Sequence, residues 1–264
     1  MQNTGLFHSN PTEENFLDAA DGAPPSQGPL KSTGFFKSLI RKFAGKALSI
    51  APISSASLST ETHLRNRFIE AIKRVQNSVH YTSTTGPEAP LGYYQTRPII
   101  GPSNIVAGSV YLGVIAHEAL VIDEKYGALH ALYDSLILKF VREDGKRAGF
   151  EDKIIRYVVS LVREKLPYDP QGVRDLAFKR GIKPDRKTSL DFYLNHRIGA
   201  ARHQVLLAVY LLQKLKARGL IHGAIQIDQD FGELPAEDEK LIYITSTGKT
   251  YLFDPSQSVL EVIG

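Results

Sequence analysis

Apolar residues recur at helical spacing through much of the second half of the chain, and strand patterns follow them. The four helices predicted there cover residues 150–166, 172–181, 189–199 and 201–218. Pro167 ends the first helix, and a glycine closes each of the other three. Strands are predicted at 223–228, 240–244 and 250–254, with the turn TSTGK between the last two. Because helices precede strands, the pattern predicts an α+β fold with a C-terminal antiparallel sheet, and not a doubly wound sheet.

The first half of the chain has a less regular pattern. It predicts a helix over 61–79, a loop with little regular structure over 82–103, two strands within 109–123 that turn at His117 and Glu118, and a helix over 131–141. Residues 1–31 are rich in polar residues, proline and glycine, and they hold too few apolar side chains to offset the entropy of ordering. The predicted organisation is a disordered tail at 1–31, a basic amphipathic helix and linker at 32–56, a helical and β-hairpin part of the domain at 57–149, and a core at 150–264.

Residues 32–51 combine an apolar helical face with a basic one. Such a helix can lie on an anionic membrane or dock on a partner, and it can equally cover the core of its own domain. In the membrane interpretation, the contacts would come from Phe35, Phe36, Lys37, Arg41 and Lys42. Both interpretations stay open on the sequence.

Composition excludes several kinds of chemistry. The 264 residues include no cysteine, which rules out disulfides, thiolate metal sites and cysteine nucleophiles. The net charge of +4 is spread over faces of mixed sign, which favours a solvated surface over nucleic acid binding. No cofactor loop of Walker or dinucleotide form is present.

No metal site is predicted either. His117 and Glu118 lack metal-ligand spacing. The same holds for the acidic group Glu233, Glu237, Asp238 and Glu239, which we expect to form a solvated loop with no metal.

The sequence also bears on where the protein resides. No apolar run approaches the roughly 18 to 20 residues that span a bilayer. The first residues lack the basic and apolar regions of a secretory signal. A cytoplasmic protein is therefore expected, or one exported without a conventional signal peptide, with membrane association through residues 32–51 left open.

The stretch GAARHQ, residues 199–204, has the features of an active-site turn at the start of a long helix. A helix N-terminus offers free backbone N–H groups and the positive end of its dipole, which lower the pKa of a thiol and stabilise an oxyanion. Arg202 and His203 could bind an anionic group there, or they could hold neighbouring loops through hydrogen bonds. Ala201, in front of them, has no reactive side chain.

Three stretches resemble the transglutaminase-like branch of the papain-like cysteine hydrolases: IIRYVVSLVREKLPYD, SLDFYLNHRIGAARHQVLLAVYLLQKL and YITSTGKTYLFDPSQ. In that family a Gly-x-Cys-Arg-His or Gly-x-Cys-Arg-Asp turn starts the central helix. A strand histidine is the base, and an Asp-Pro at the end of the next strand supplies the acid. The resemblance covers residues from about Phe150 to the C-terminus and implies a papain-like core.

Carried over position by position, the resemblance assigns the family cysteine to Ala201, the acid to Asp254, and the base to about Glu239. No histidine occurs from Gly223 to Gly264. The nucleophile and the base are therefore both absent, and Asp254 could equally be a residue of a strand-end turn. If the assignment is right, Ala201, Glu239 and Asp254 should line one shallow groove.

Three functions remain open on this basis. The first is a pseudoenzyme, a non-catalytic protein that binds a protein or peptide partner through the former substrate groove. The second is an active-site-substituted form of a cysteine hydrolase, deamidase or transglutaminase, with His222 as a relocated base. His222 follows the long helix, roughly 25 Å from Ala201 at about 1.5 Å per residue, so we expect a surface histidine there. The third is a membrane-associated exported effector that acts through residues 32–51.

Overall fold

The computed structural model describes residues 68–84, 89, 91–102, 105, 107–113, 115–124, 127–140, 149–230 and 238–263. These residues belong to one unit, Ile53–Gly264. The predicted tail and basic amphipathic helix lie outside them, as do Glu233 and Glu237. Among the described residues, no helix is both long and apolar enough to cross a membrane.

Six helices occur in the described part of the chain. The first, α1, is helical over 68–75. The others are α2 (Ala128–Phe140), α3 (Phe150–Lys165), α4 (Pro170–Lys179), α5 (Leu190–His196) and α6 (Ala201–Ala217). The helices predicted in the second half are all present, with ends that differ by a few residues.

Ten strands form three sheets in the described residues. They are β1 (Tyr81–Thr82), β2 (Tyr93–Tyr94), β3 (Arg97–Pro98), β4 (Val110–Tyr111), β5 (Ala119–Val121), β6 (Lys187–Ser189), β7 (Ala224–Asp230), β8 (Asp238–Ile244), β9 (Thr250–Asp254) and β10 (Val259–Val262). The first sheet has the order β1-β2-β3, the second β4-β5-β6, and the C-terminal sheet β10-β9-β8-β7. Every pair is antiparallel except β5 with β6. The predicted α+β class and C-terminal antiparallel sheet are confirmed.

The central helix α6 lies in the middle of the core. Every position from Ala201 to Leu212 is buried, as expected of a helix that contacts other elements all round, and the polar His203 and Gln204 are buried among them. The helix packs on α3 and on strands β7 and β8. At its start Gly199 lies so close to the end of α3 that an added Cβ would be 2.8 Å from Cγ of Leu166. A glycine is needed there because the two segments approach closely.

Several predictions for the first half and the acidic loop are wrong. The range 82–103, predicted to have little regular structure, contains the end of β1 and the short strands β2 and β3, which pair into a sheet. These strands are only two residues long, too short to show an alternating pattern. The acidic residues Asp238 and Glu239 begin strand β8, and Glu239 is buried instead of solvated. The helix predicted to reach residue 79 ends at 75.

Sheet pairing also joins the two predicted parts of the domain. Strand β5, from the part before residue 150, pairs in parallel with β6, from the part after it. Strand β6 was not predicted, because its sequence Lys187–Ser189 is polar and short. Through this pairing, residues from the first half of the chain lie close to the N-terminus of α5.

Candidate functional site

The N-terminus of α6 is capped by a histidine of its own first turn. Ala200 has an extended backbone, and its N–H donates to Nδ1 of His203 at 3.0 Å. The ring thus accepts from the N-cap N–H, as the N3 side chain does in a capping box, while Ala200 has no polar side chain to accept from the first-turn N–H groups. Ala201 follows as the first helical residue and is buried.

Four buried side chains meet beneath this turn. One oxygen of Glu118, Oε1, accepts hydrogen bonds from the hydroxyl of Tyr193 at 2.8 Å and from the Arg202 guanidinium at 2.8 Å. Nε2 of His203 lies 3.2 Å from the same oxygen, and the His203 ring lies 4.1 Å from that of Tyr193, centroid to centroid. We call Glu118, Tyr193, Arg202 and His203 the Glu118 cluster.

The hydrogen bonds fix the tautomer of His203. A backbone N–H can only donate, so Nδ1 must be the unprotonated nitrogen. The proton is then on Nε2, which donates it to Glu118. Both ring nitrogens are engaged and the ring is fully buried, so in this conformation His203 has no lone pair with which to take a proton from a substrate.

Burial and charge act in opposite directions on the cluster. Burial alone raises the pKa of Glu118, but the hydrogen bond from His203 and the positive charge of Arg202 outweigh it and hold the pKa well below its ordinary value. Burial, followed by the neighbouring Glu118 charge, raises the pKa of the Tyr193 hydroxyl. Glu118 is therefore ionised and Tyr193 stays a proton donor. This arrangement is that of a buried ion pair in which one carboxylate oxygen accepts from three side chains.

The position assigned to the base is occupied by a buried carboxylate. Glu239 lies in β8, and its Oε1 accepts a hydrogen bond from the hydroxyl of Tyr111 at 2.9 Å. Tyr111 is in β4, which pairs with the strand that follows Glu118 along the chain. The side chain at this position thus holds two sheets together.

The position assigned to the acid takes part in a strand-end turn. Oδ1 of Asp254 accepts from the backbone N–H of Ser256 at 2.9 Å, from its hydroxyl at 2.7 Å, and from the N–H of Gln257 at 3.3 Å. The other oxygen, Oδ2, lies 3.5 Å from Nζ of Lys240 on the neighbouring strand. Asp254 therefore closes the β9–β10 connection, as the turn interpretation expects.

Three of the predicted residues, Glu239, Arg202 and His203, contact residues of one hairpin, formed by β4 and β5. Tyr111 of β4 contacts Glu239, and Glu118, just before β5, contacts Arg202. Tyr111 and Leu120 are directly paired across the hairpin. The expected shallow groove is not open here, since Ala201 and Glu239 are each 1% exposed and Asp254 is 5% exposed.

The remaining candidates lie elsewhere. His222 is exposed, beyond the far end of α6, and its backbone N–H donates to Glu151 at 2.7 Å. Within the described ranges, no group of three or more histidine, aspartate or glutamate side chains could hold a metal ion. The partners of Arg202 and His203, namely Glu118 and Tyr193, were missed from the sequence. The only signal for Glu118 was a charged residue immediately before a fully apolar strand.

Comparisons with known proteins gave no match. No family model matches the chain, and neither the curated proteins nor the solved structures that were searched resemble it closely enough to count as relatives.

Proposed function

We propose that this chain is a non-catalytic member of the transglutaminase-like superfamily, with a papain-like core over residues 150–264, that acts by binding a protein or peptide partner. The observation that carries the proposal is the occupation of the base position. Glu239 is there in place of histidine, it is buried, and it receives the Tyr111 hydroxyl. A carboxylate engaged in this way serves packing and not proton transfer.

The order of elements supports the papain-like part of the proposal. A buried helix that starts at Ala201 packs on an antiparallel sheet, and the strands of Glu239 and Asp254 are neighbours in that sheet. In the family that the sequence resembles, the nucleophile, base and acid come from a helix and two strands in this order. This shared order of helix and strands is what supports a papain-like core.

The chemistry expected of the family needs groups that these positions do not offer. Acyl transfer by a covalent route requires a nucleophile and a base within about 3 Å of its proton. Ala201 supplies no nucleophile, and His203 has both ring nitrogens engaged. His222 is exposed at the other end of α6. A folded core without these groups acts by binding.

Sensitive assays of amide hydrolysis, glutamine deamidation and amine cross-linking on the full chain test the proposal. We expect no turnover by the wild-type protein. Asp254→Ala serves as the matched variant, because it alters the only family acid that is present. Turnover that disappears in Asp254→Ala would contradict the proposal.

A cysteine substitution separates this proposal from an active-site-substituted enzyme. We expect Ala201→Cys to remain inactive in the same assays. Ala208→Cys, which puts a thiol in the middle of α6, is the control for chemistry by a misplaced cysteine. Activity in folded Ala201→Cys, absent from Ala208→Cys, would instead support a hydrolase that has lost only its nucleophile.

A further inference from the structure

The surface of α4 and the chain after it combines an exposed aromatic side chain with a high density of positive charge. Phe178 is 89% exposed. Six exposed cations occur within 174–187, namely Arg174, Lys179, Arg180, Lys183, Arg186 and Lys187. Only two carboxylates, Asp175 and Asp185, occur in the same span, so it carries a formal charge of +4, equal to that of the whole chain. We call Phe178 with the six cations the α4 surface.

The local backbone keeps these side chains near one another. Arg174 and Phe178 are four residues apart on α4 and so share one face of the helix. After the helix, Gly181 has φ +62°, and the N–H of Ile182 donates to the carbonyl of Ala177 at 2.9 Å. The chain therefore turns back at the helix end, and the cations at 183, 186 and 187 follow within a few residues.

Both carboxylates in the span have partners, and Asp175 accepts from Nε2 of Gln171 on its own helix at 2.8 Å. Asp185 pairs with Arg74 of α1, and its carbonyl accepts from Tyr94 and Gln95. Its negative charge is thus directed to the body of the domain. Asp185 is thus paired with a cation that lies outside the span.

The surroundings of Phe178 distinguish two kinds of partner. The buried centre of a protein interface is depleted of charged residues and needs a complementary packed surface. Phe178 is instead exposed on a short segment that carries six exposed cations. The boundary between lipid headgroups and acyl chains accepts this combination, because an aromatic ring enters the boundary while Lys and Arg side chains contact the anionic headgroups.

We propose that the α4 surface binds membranes that contain anionic phospholipid, with Phe178 inserted at the headgroup boundary and the six cations on lipid phosphates and carboxylates. The proposal is independent of the pseudoenzyme proposal, since no residue of α6, β8 or β9 takes part. It also differs from a membrane contact through residues 32–51.

Co-sedimentation of the full chain with vesicles tests it. Binding is expected to vesicles of phosphatidylcholine with phosphatidylserine, to weaken as salt rises, and to be absent with phosphatidylcholine alone. Phe178→Ala should weaken the partition coefficient about tenfold. Lys179→Gln with Lys183→Gln should weaken it about fivefold for each cation removed.

Matched controls exist for both changes. Leu138→Ala removes another exposed apolar side chain, 74% exposed on α2, and should leave binding unchanged. Lys153→Gln with Arg218→Gln removes two exposed cations elsewhere and should have at most a small effect.

Three results would overturn the proposal. The first is no binding of the full chain to vesicles with phosphatidylserine. The second is equal binding by wild type and both α4 variants, with loss only on Phe35→Ala and Phe36→Ala together. The third is capture of the chain by a poly-glutamate peptide but not by vesicles, lost in the α4 variants, which would assign the surface to acidic proteins.

Discussion

The hydroxyl of Tyr111 donates to Oε1 of Glu239 at 2.9 Å, although 128 positions separate the two residues. Both side chains are buried. The bond joins the β4-β5-β6 sheet to the C-terminal sheet. Glu239 is the position to which the family resemblance would assign a catalytic histidine. A residue that links two sheets in this way is under structural constraint.

Removal of this hydroxyl should destabilise the fold. In Tyr111→Phe the buried carboxylate loses a donor, and hydrogen bonds to charged groups contribute about 1.5–3 kcal/mol. The change in the free energy of unfolding is measured by urea unfolding, followed by far-UV circular dichroism because the chain has no tryptophan for fluorescence. Tyr157→Phe is the control, because its ring keeps the contact with Lys139, whose Nζ lies 3.6 Å from the ring centroid. Equal stabilities of Tyr111→Phe and wild type would show that the bond contributes nothing.

The Glu118 cluster should contribute more to stability than that single bond. Glu118→Ala leaves the buried guanidinium of Arg202 without its counter-ion, and breaking such a pair costs about 3–5 kcal/mol. Glu164→Ala, on the exposed face of α3 beside Lys165, should change the free energy of unfolding by less than about 0.5 kcal/mol. A loss in Glu118→Ala no larger than that in Glu164→Ala would exclude a stabilising role for the cluster.

The cluster also predicts a pH dependence. The pKa of Glu118 lies below its ordinary value of 4.5, so the folded state favours the ionised form. Its contribution is complete above pH 4.5 and is lost as the pH falls below that value towards the folded pKa. Wild type should therefore lose more free energy of unfolding than Glu118→Gln between neutral pH and acid. Parallel profiles for the two proteins would contradict the assigned ion pair.

The sequence predicted the second half of the fold better than the first. Helices α3 and α6 are long enough for periodicity to identify them. Helix α3 has an apolar stripe and is followed by a proline, and α6 is apolar on nearly all sides. Strands β1 to β3 are two residues each, and β6 owes its conformation to pairing with β5. Such elements depend on tertiary contacts, which local patterns do not contain.

The same distinction holds at the candidate site. The turn at GAARHQ was identified because helix start, glycine and polar residues are adjacent in sequence. Glu118 was overlooked, since its partner Arg202 is 84 positions away and nothing local indicates that the chain returns there. For Glu239 the sequence allows both an acidic loop and the base position, and the burial of this side chain in β8 excludes the solvated loop.

A second buried carboxylate, Asp191, should have the opposite pH dependence. Its Oδ1 accepts from the N–H of Leu129 at the start of α2, at 2.8 Å, and Oδ2 has no hydrogen-bond partner among the described residues. Burial raises the pKa of Asp191 above its ordinary value of 3.8. The hydrogen bond from the Leu129 N–H lowers this pKa by a smaller amount, and the negative charge of Asp123 raises it further. Its contribution is thus complete below pH 3.8 and is lost as the pH rises through the folded pKa.

Asp191→Asn keeps an acceptor for Leu129 and removes the charge. At neutral pH it should be as stable as wild type or more so, with the difference shrinking in acid. Asp191→Ala also removes the acceptor and should cost about 0.5–2 kcal/mol, as expected for loss of a helix cap. Denaturant unfolding across pH gives both comparisons, and an Asp191→Asn variant less stable than wild type at neutral pH would show that the carboxylate is needed as a charge.

The closed state of the α6 start can be measured with a single thiol, because the chain has no cysteine of its own. Ala201→Cys would place sulfur at a buried position next to Arg202, and Phe178→Cys would place it on an exposed helix face. Thiol labelling of Ala201→Cys requires local opening. It should be at least about 100-fold slower than labelling of Phe178→Cys, which corresponds to an opening free energy of about 3 kcal/mol.

Glu118→Gln in the Ala201→Cys background should accelerate labelling, because it weakens the contact between the hairpin and Arg202. Glu164→Gln in the same background is the control, since it alters an exposed carboxylate of α3 and should leave the labelling rate unchanged. Equally fast labelling of Ala201→Cys and Phe178→Cys would mean that the N-terminus of α6 is accessible to solvent. That result would support the binding groove that the sequence predicts at this place.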